Sequence, residues 1–270
     1  MSTSLLKLKL LSLRHKLSRY FLMNKKIWIL SRTACLFNDT LVVMGLTMIP
    51  RYNIQKGRID LWLDFFKGKR VKPKFEMIKF IERFDIKGLF LQQYHFLLFR
   101  QKQPYMFVLD SYSELVDRKF FFKAQENKYF FSYADDIIPG SDAVLDNDGL
   151  LQVDAMYDLY ENFFEKFREF YPFCPIVFIL VPNKLETREF FIMRSKVIND
   201  SIQRISKKFD DFHVIEIPES VIFNHPSDNH PYHYSEDVYL YLAKELKGKQ
   251  LFKKLQYYYI NSVKNISKIK

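Results

Sequence analysis

Five short apolar runs that alternate with helical patterns constrain this chain more than any other feature of its sequence. The runs cover residues 27–30, 46–49, 105–109, 176–181 and 213–217. Strongly helical patterns follow the third, fourth and fifth runs, at 150–170, 188–209 and 236–246. Strands that alternate with helices form parallel sheets covered by helices. We therefore predict a doubly wound α/β domain with five fully buried central strands.

Two further segments fit inside this alternation. Residues 58–100 keep helical periodicity, which predicts a helical insertion that caps the site; the alternative is that its aromatic residues are simply core. Residues 119–133 carry aromatic runs on both sides of a polar centre, which predicts a β-hairpin. No linker divides the body. We predict one domain over 23–247, an N-terminal extension over 1–22 and a basic C-terminal helix or tail over 248–270.

The formal net charge of +11 comes from the two ends of the chain. Residues 1–38 contain eight Lys or Arg, residues 246–270 contain seven, and neither stretch contains an acid. The body between them has 27 Lys or Arg against all 31 acids, so it is mildly acidic. A nucleic-acid groove needs clustered basic residues that neutralise phosphates. We therefore expect no nucleic-acid partner.

The first 22 residues predict a basic amphipathic helix. Its apolar stripe contains Leu6, Leu10, Leu13 and Leu17. Such a helix could lie on an anionic membrane, act as an organelle transit peptide, or pack on its own domain. Basic residues interrupt every candidate secretion signal, and two cysteines cannot form a disulfide framework. We expect a cytoplasmic protein that the basic ends could hold at the inner face of the membrane.

The carboxyl ends of the strands are where a doubly wound sheet binds its ligands. No Gly-x-Gly-x-x-Gly follows the first run and no P-loop motif occurs, so neither dinucleotide nor P-loop chemistry is indicated. Polar residues do occur at these ends. Those that we predict to bind substrate are Arg32, Asn53, Asp110, Ser111 and Asn183.

Three histidines, His225, His230 and His233, lie within nine residues after the fifth run. Zinc binding is one interpretation, but Pro231 prevents a regular helical turn between the last two and no third ligand is adjacent, so we predict no metal. A polar loop that caps the next helix is a second interpretation. The third is a general base, because an imidazole titrates near neutral pH.

A general base needs a nucleophile at the same edge of the sheet. Ser31 ends the first run, where the chain turns into a helix whose N-terminal amides could stabilise an oxyanion. A serine at such a point is more often a helix N-cap. The combination of Ser31 with the histidines is therefore more informative than either part.

These residues resemble the SGNH/GDSL hydrolase superfamily in their layout. Asp228 to Pro231, followed by a helix, is similar to the Asp-x-x-His block before the last helix of that superfamily. Pro231 to Tyr234, with the segment after the third run, is similar more narrowly to an SGNH-like family of bacterial surface-polysaccharide gene clusters. The resemblance implies a flavodoxin-like three-layer fold, Ser31 as nucleophile, His233 or His230 as base, and Asp228 or His230 as the group that orients the base.

The sequence departs from both patterns at the nucleophile. Leu30-Ser31-Arg32 stands where the superfamily has Gly-Asp-Ser, and the Gly-Ser-Cys of the narrower family has no clean counterpart. Ser31 and, as a second candidate, Cys35 therefore stay open. Asn53, Ser111 and Asn183 could replace the missing oxyanion blocks.

The resemblance implies an esterase or O-acyltransferase that acts on acyl, chiefly acetyl, groups of a capsular or other surface polysaccharide. An esterase would need no cofactor, and a transferase would need an acyl donor such as acetyl-CoA. Two alternatives stay open. One is a glycosyl- or phospho-transferring enzyme in which Asp110, Glu114 and the histidines bind a nucleotide sugar. The other is a noncatalytic scaffold with a degenerate SGNH fold that its basic ends hold at the membrane.

Overall fold

Eight strands form two separate sheets in the computed structural model, which describes residues 28–69, 75–94, 102–227, 229–249 and 252. The strands are β1 (Ile29–Arg32), β2 (Arg51–Asn53), β3 (Met106–Asp110), β4 (Asp117–Phe122), β5 (Gln125–Tyr133), β6 (Leu145–Asn147), β7 (Ile176–Ile179) and β8 (Phe212–Ile215). The larger sheet is parallel, in the order β2-β1-β3-β7-β8. This order confirms the predicted flavodoxin-like α/β class.

Helices cover both faces of the parallel sheet. They are α1 (Cys35–Val43), α2 (Ile59–Phe66), α3 (Phe84–Phe90), α4 (Tyr112–Val116), α5 (Met156–Phe170), α6 (Glu189–Ser206) and α7 (Glu236–Gly248). Helix α1 packs on α7, whereas α2, α5 and α6 pack side by side. Right-handed crossovers place these two groups on opposite faces of the sheet. The result is the predicted three-layer α/β/α arrangement.

The aromatic content of the chain fills the layer between the sheet and α2 and α5. Phe107 of β3 stacks on Phe167 at 4.6 Å and on Trp62 at 5.4 Å between ring centroids, and Phe163 closes the cluster. Burying such a side chain contributes roughly 1.5–3 kcal/mol. Most of residues 59–66 of the predicted insertion are therefore core, while Arg83, Ile86 and Leu89 line the cavity described below.

The prediction of a strand over 46–49 is wrong, because this run forms a turn whose two middle residues are exposed. Gly45 ends α1 in the left-handed region at φ 68°, and its N–H bonds the Val42 carbonyl while the Leu46 N–H bonds the Leu41 carbonyl. This pairing is a Schellman motif, which reverses the chain after a helix. Leu46 and Ile49 are buried by this turn, and strand β2 follows it at residue 51.

The prediction that all five strands are fully buried is also wrong at the fifth run. Strand β8 lies at the edge of the sheet, and Phe212, His213 and Val214 are half-buried. An edge strand lacks a neighbour on one side, so alternation and run length alone could not distinguish it from a central strand.

The predicted hairpin over 119–133 is confirmed. Strands β4 and β5 pair in antiparallel register from Asp117 with Tyr133 to Phe122 with Gln125, and β6 adds a third strand to β4. The predicted N-terminal extension over 1–22 lies outside the described residues. Of the predicted C-terminal helix or tail over 248–270, the structure describes only residues 248, 249 and 252. Among the described helices, none combines the length and apolar character needed to cross a bilayer.

A buried ion pair ties these layers together at the carboxyl edge of the sheet. Arg32 at the end of β1 donates two hydrogen bonds to the Glu114 carboxylate, at 2.7 and 2.9 Å, and both side chains are buried. Glu114 also accepts from the Ile59 N–H at 2.7 Å and from the Tyr160 hydroxyl at 2.8 Å. Arg194 of α6 donates to the Glu114 carbonyl. One carboxylate thus connects β1, α2, α4 and α5.

We predict that Glu114→Gln lowers the free energy of unfolding by about 3–5 kcal/mol, because it leaves the Arg32 charge buried without its counter-charge. Urea unfolding followed by circular dichroism measures the change. The matched control is Glu169→Gln, which removes an exposed ion pair with Lys166 and should cost at most about 1 kcal/mol. Equal effects of the two substitutions would contradict the importance of the buried pair.

Candidate active site

The candidate site lies where β1 and β3 end side by side. Strand β1 is flanked by β2 on one side and by β3 on the other, so the chain leaves these strands in opposite directions. Such a switch point opens a crevice at the carboxyl ends of the strands. Cys35 begins α1 just beyond β1, and Asp110 ends β3.

Asp110 holds the turn that leads into α1. Its carboxylate accepts the Ala34 N–H at 2.7 Å and the Tyr112 N–H at 3.1 Å. Burial raises the pKa of Asp110 to about 7, although the nearby Arg32 and these two hydrogen bonds oppose the rise. Asp110 was predicted to bind substrate. In the structure its carboxylate instead binds backbone N–H groups, one of them next to Cys35.

Cys35 and His233 stand between two cavities. One cavity, of about 350 Å³, is lined by Cys35, His230 and His233 together with Tyr112 and Lys56. The other, of about 630 Å³, is lined by Cys35 and His233 together with Asp39 and His225. Both volumes fall in the range of roughly 300–1,000 Å³ typical of small-molecule sites. The structure therefore brings the second nucleophile candidate together with the predicted base.

The environment of Cys35 keeps its thiol protonated. Cys35 is exposed as a residue, but partial desolvation of its sulfur raises the pKa of the thiol, and the carboxylates of Asp39 and Asp110 raise it further. Gln55 donates a long hydrogen bond to the sulfur at 4.0 Å. The thiolate is the nucleophilic form of a cysteine, so this thiol needs a base to remove its proton. Cys35 also stands in the first turn of α1, where amide N–H groups lack intrahelical acceptors.

The histidine segment is a built loop. The His233 N–H bonds the His230 carbonyl at 3.0 Å, the His225 N–H bonds the His233 carbonyl at 3.1 Å, and the Tyr234 hydroxyl donates to the Pro182 carbonyl. The rings of His230 and His233 lie 4.4 Å apart between centroids. His230 Nδ1 accepts the Tyr232 N–H, which assigns the ring proton of the neutral form to Nε2.

Asp39 is a site residue that sequence reasoning missed. It lies four residues after Cys35, so both side chains share one face of α1. Burial raises the pKa of Asp39, while a hydrogen bond with Tyr239 and the charges of His233 and His225 oppose the rise. An acid that faces His233 can orient its imidazole. The i, i+4 spacing from Cys35 was the available signal. Asp228, the predicted orienting acid, lies outside the described residues.

Ser31 has a structural position inside the sheet. Its side chain is 0% exposed, and its Oγ donates to Asn53 Oδ1 at 3.0 Å across the β1–β2 register. The Asn53 side chain also bonds both the N–H and the carbonyl of Thr33. Ser31 lines neither cavity that contains His233. Ser31 as nucleophile stays a prediction from sequence, and the geometry favours Cys35.

The structure separates the other predicted substrate-binding residues from the two cavities. Arg32 is 1% exposed and also donates to the Asp110 carbonyl, so it has no face for a substrate. Ser111 is fully buried, while Asn183 follows β7, and neither lines the cavities that Cys35 shares with His233. Asn53 is half-buried and serves the β1–β2 edge.

Lys56 lines the 350 Å³ cavity, and sequence reasoning missed this residue as well. Its ammonium contacts Asp136 at 2.8 Å and Asp117 at 3.2 Å. Burial would lower the pKa of Lys56, but the two carboxylates outweigh burial and raise it. Asp117 begins β4 and Asp136 lies in a 3-10 turn just after β5, and no local pattern around Lys56 predicts either partner. Within the described ranges, no group of three or more His, Cys, Asp or Glu is arranged to hold a metal ion.

Two solved structures are similar to this chain. A chain named as a GDSL-like lipase from Bacteroides ovatus ATCC 8483 shares 12% identity at a TM-score of 0.41; the match covers 85% of this chain and 54% of that one. An acetyl xylan esterase from the rumen bacterium Butyrivibrio proteoclasticus shares 11% identity at a TM-score of 0.39, over 86% of this chain and 65% of that one.

This chain thus spans somewhat more than half of the first protein and just under two thirds of the second. The similarity assigns no role to any residue of this chain. No protein-family model matches the chain, and no curated protein matches it.

We predict that alkylation of Cys35 by iodoacetamide titrates with an apparent pKa above the value of about 8.5 for a free thiol. Asp39→Asn should lower that apparent pKa, because it removes a negative charge that disfavours the thiolate. Mass spectrometry of the Cys35 peptide at several pH values measures the rate. An apparent pKa below that of a free thiol would mean a preformed ion pair with His233 and would contradict this description.

Proposed function

We propose that this protein is an acyl esterase or O-acyltransferase that acts on carbohydrate, with Cys35 as the nucleophile and His233 as the general base. The observation that carries the proposal is that both side chains line the same two cavities at the switch point of the sheet. One cavity can hold the sugar while the other holds the acyl group or a second reactant.

The proposed reaction has two halves. In the first, His233 takes the proton from Cys35 as the sulfur attacks the ester carbonyl carbon, and the carbonyl electron pair moves onto oxygen. The proposed donors to that oxyanion are the N-terminal amides of α1 from Cys35 onward. The oxyanion then collapses, the carbon–oxygen bond to the sugar breaks, and the imidazolium returns its proton to the departing sugar oxygen.

In the second half, a thioester joins the acyl group to Cys35. His233 removes a proton from water or from a sugar hydroxyl, whose oxygen attacks the thioester carbon and releases the thiol. Water gives hydrolysis, and a sugar hydroxyl gives transfer. When the acyl donor is acetyl-CoA, the carbon–sulfur bond to CoA breaks in the first half instead, and the imidazolium returns its proton to the departing CoA sulfur.

Asp39 is the proposed orienting acid for His233, because it stands in the same cavity and interacts electrostatically with it. Asp228 stays the candidate from sequence. His230 supports the base through ring contact. The nucleotide-sugar alternative is disfavoured, because Glu114 and Asp110 are both buried and engaged with protein groups.

The polar lining of the smaller cavity that holds Cys35 supports a sugar as substrate. Gln55, Lys56, Tyr112 and Asp135 surround it with donors and acceptors. The polysaccharide of a bacterial surface is the substrate that the sequence resemblance suggests. A position at an anionic membrane stays a prediction as well, which co-sedimentation with anionic vesicles at rising salt would test.

We predict that His233→Ala lowers kcat/KM for p-nitrophenyl acetate by about 100- to 10,000-fold, the range expected when a general base is removed. Cys35→Ala should cost at least as much, and the double substitution little more, because the two act as one unit.

Ser31→Ala is the discriminating variant. It removes one buried hydrogen bond, worth about 0.5–1.5 kcal/mol of stability, and should keep most of the activity. A thermal unfolding scan confirms that each variant is folded. Full activity in Cys35→Ala, with loss in a folded Ser31→Ala, would return the nucleophile to Ser31.

A further inference from the structure

A third cavity, of about 240 Å³, lies beside the 350 Å³ cavity that Cys35 and His233 line. Tyr133, Asp135 and His230 line both, so these three side chains form the wall between them. The His230 ring contacts the His233 ring on its other side. A group bound in the third cavity would therefore lie one side chain away from the proposed base.

Arg188 gives this third cavity a hydrogen-bond donor whose position is fixed by protein contacts. Its Nε and Nη2 donate to the two carboxylate oxygens of Glu186 at 2.8 and 2.7 Å, and its Nη1 donates to the Tyr133 hydroxyl at 3.3 Å. The guanidinium also lies 4.2 Å from the centroid of the Phe191 ring. A guanidinium has five N–H donors, so two are left to meet a ligand. Because protein contacts already order the side chain, a ligand need not order it again.

Glu186 is the buried support of that donor. Its side chain is 1% exposed, and it also accepts the N–H groups of Thr187 and Arg188. Burial alone would raise the pKa of Glu186, but the hydrogen bonds from Arg188 outweigh it and lower the pKa to about 2. Glu186 also bonds the Tyr232 hydroxyl, and Tyr232 lines the neighbouring cavity. The carboxylate thus connects the two cavities.

The charges of this cavity select a neutral ligand. Arg188 is balanced by Glu186, and the exposed carboxylate of Asp135 leaves the lining with a net negative charge. A phosphate or carboxylate ligand would be repelled by that negative charge. A hydroxyl group can accept from Arg188 and donate to Asp135, and the Asn229 carboxamide at the rim can do both. A polyol such as a sugar ring matches this set.

We infer that the Arg188–Glu186 cavity binds a second sugar unit, next to the unit whose ester Cys35 attacks, so the substrate is an oligosaccharide or polysaccharide chain. This inference rests on the proposed function. The second sugar site lies outside the reacting groups, so binding of the sugar chain should strengthen with chain length.

Calorimetric titration of the full chain with unacetylated sugars tests this directly. The probes are the gluco-, xylo- and manno-series from one to four units. In at least one series we expect affinity to rise about tenfold or more from one unit to two, which corresponds to about 1.4 kcal/mol. Arg188→Ala and the shape-conserving Asp135→Asn should each remove most of this rise.

The matched control is Arg204→Ala. Arg204 also lies over an aromatic ring, that of Tyr157 at 4.4 Å, but in the last turn of α6. It should keep the full rise. A rise that survives Arg188→Ala, or the absence of a rise in all three series, would overturn the inference.

Ester turnover separates this inference from the proposed function. Hydrolysis of p-nitrophenyl acetate without any dependence of binding on chain length would leave the proposed function standing and overturn the second subsite. Length-dependent binding that Arg188→Ala removes, without turnover of any acetylated probe, would support the subsite and count against the esterase.

Discussion

The buried ion pair between Arg32 and Glu114 fixes the carboxyl edge of the sheet, and the candidate site is assembled on that edge. Removing two charges from water is costly unless most of their donors and acceptors find partners in the protein. Arg32 Nε has no hydrogen-bond partner among the described residues, but both terminal nitrogens of the guanidinium do. Here the carboxylate also receives the Ile59 N–H and the Tyr160 hydroxyl, and the guanidinium also reaches the Asp110 and Gly57 carbonyls. Four elements therefore meet at this pair.

The nucleophile candidate is positioned through the same contacts. Arg32 holds the backbone of Asp110, and the carboxylate of Asp110 holds the Ala34 N–H, one residue before Cys35. The buried ionic network thus reaches the first turn of α1 in two hydrogen bonds. The loop with His230 and His233 is held separately, by backbone bonds and by Tyr234 on Pro182. The candidate site lies between these two supports, one of which holds Cys35 and the other the histidine loop.

Patterns within short stretches of sequence predicted the fold well. Buried strands read as apolar runs, and the hairpin read as two aromatic segments around a polar turn, because both signals are local. The run at 46–49 is as apolar as a strand, although only Leu46 and Ile49 are buried in the turn that it forms. The signal against a strand was Gly45, which permits the Schellman reversal.

The site was harder to predict, because its contacts join residues that are distant along the chain. The histidines were found through their density in the sequence. The choice between Ser31 and Cys35 depended on how far β1 extends: the strand continues through Arg32, so Ser31 points into the sheet edge beside Asn53, and the helix begins at Cys35. Lys56, Glu186 and Arg188 meet their surroundings through other strands and loops, which sequence spacing does not report.

Trapping of the acyl-enzyme tests the central claim most directly. The protein is mixed with an activated acetyl ester, quenched in acid, which preserves thioesters, and digested with trypsin. Cleavage after Arg32 separates Ser31 from Cys35, so the two candidates fall in different peptides. The account predicts one acetyl group on the Cys35 peptide, formed much more slowly in His233→Ala. Acetyl on the Ser31 peptide, or steady release of product with neither peptide acylated, would contradict it.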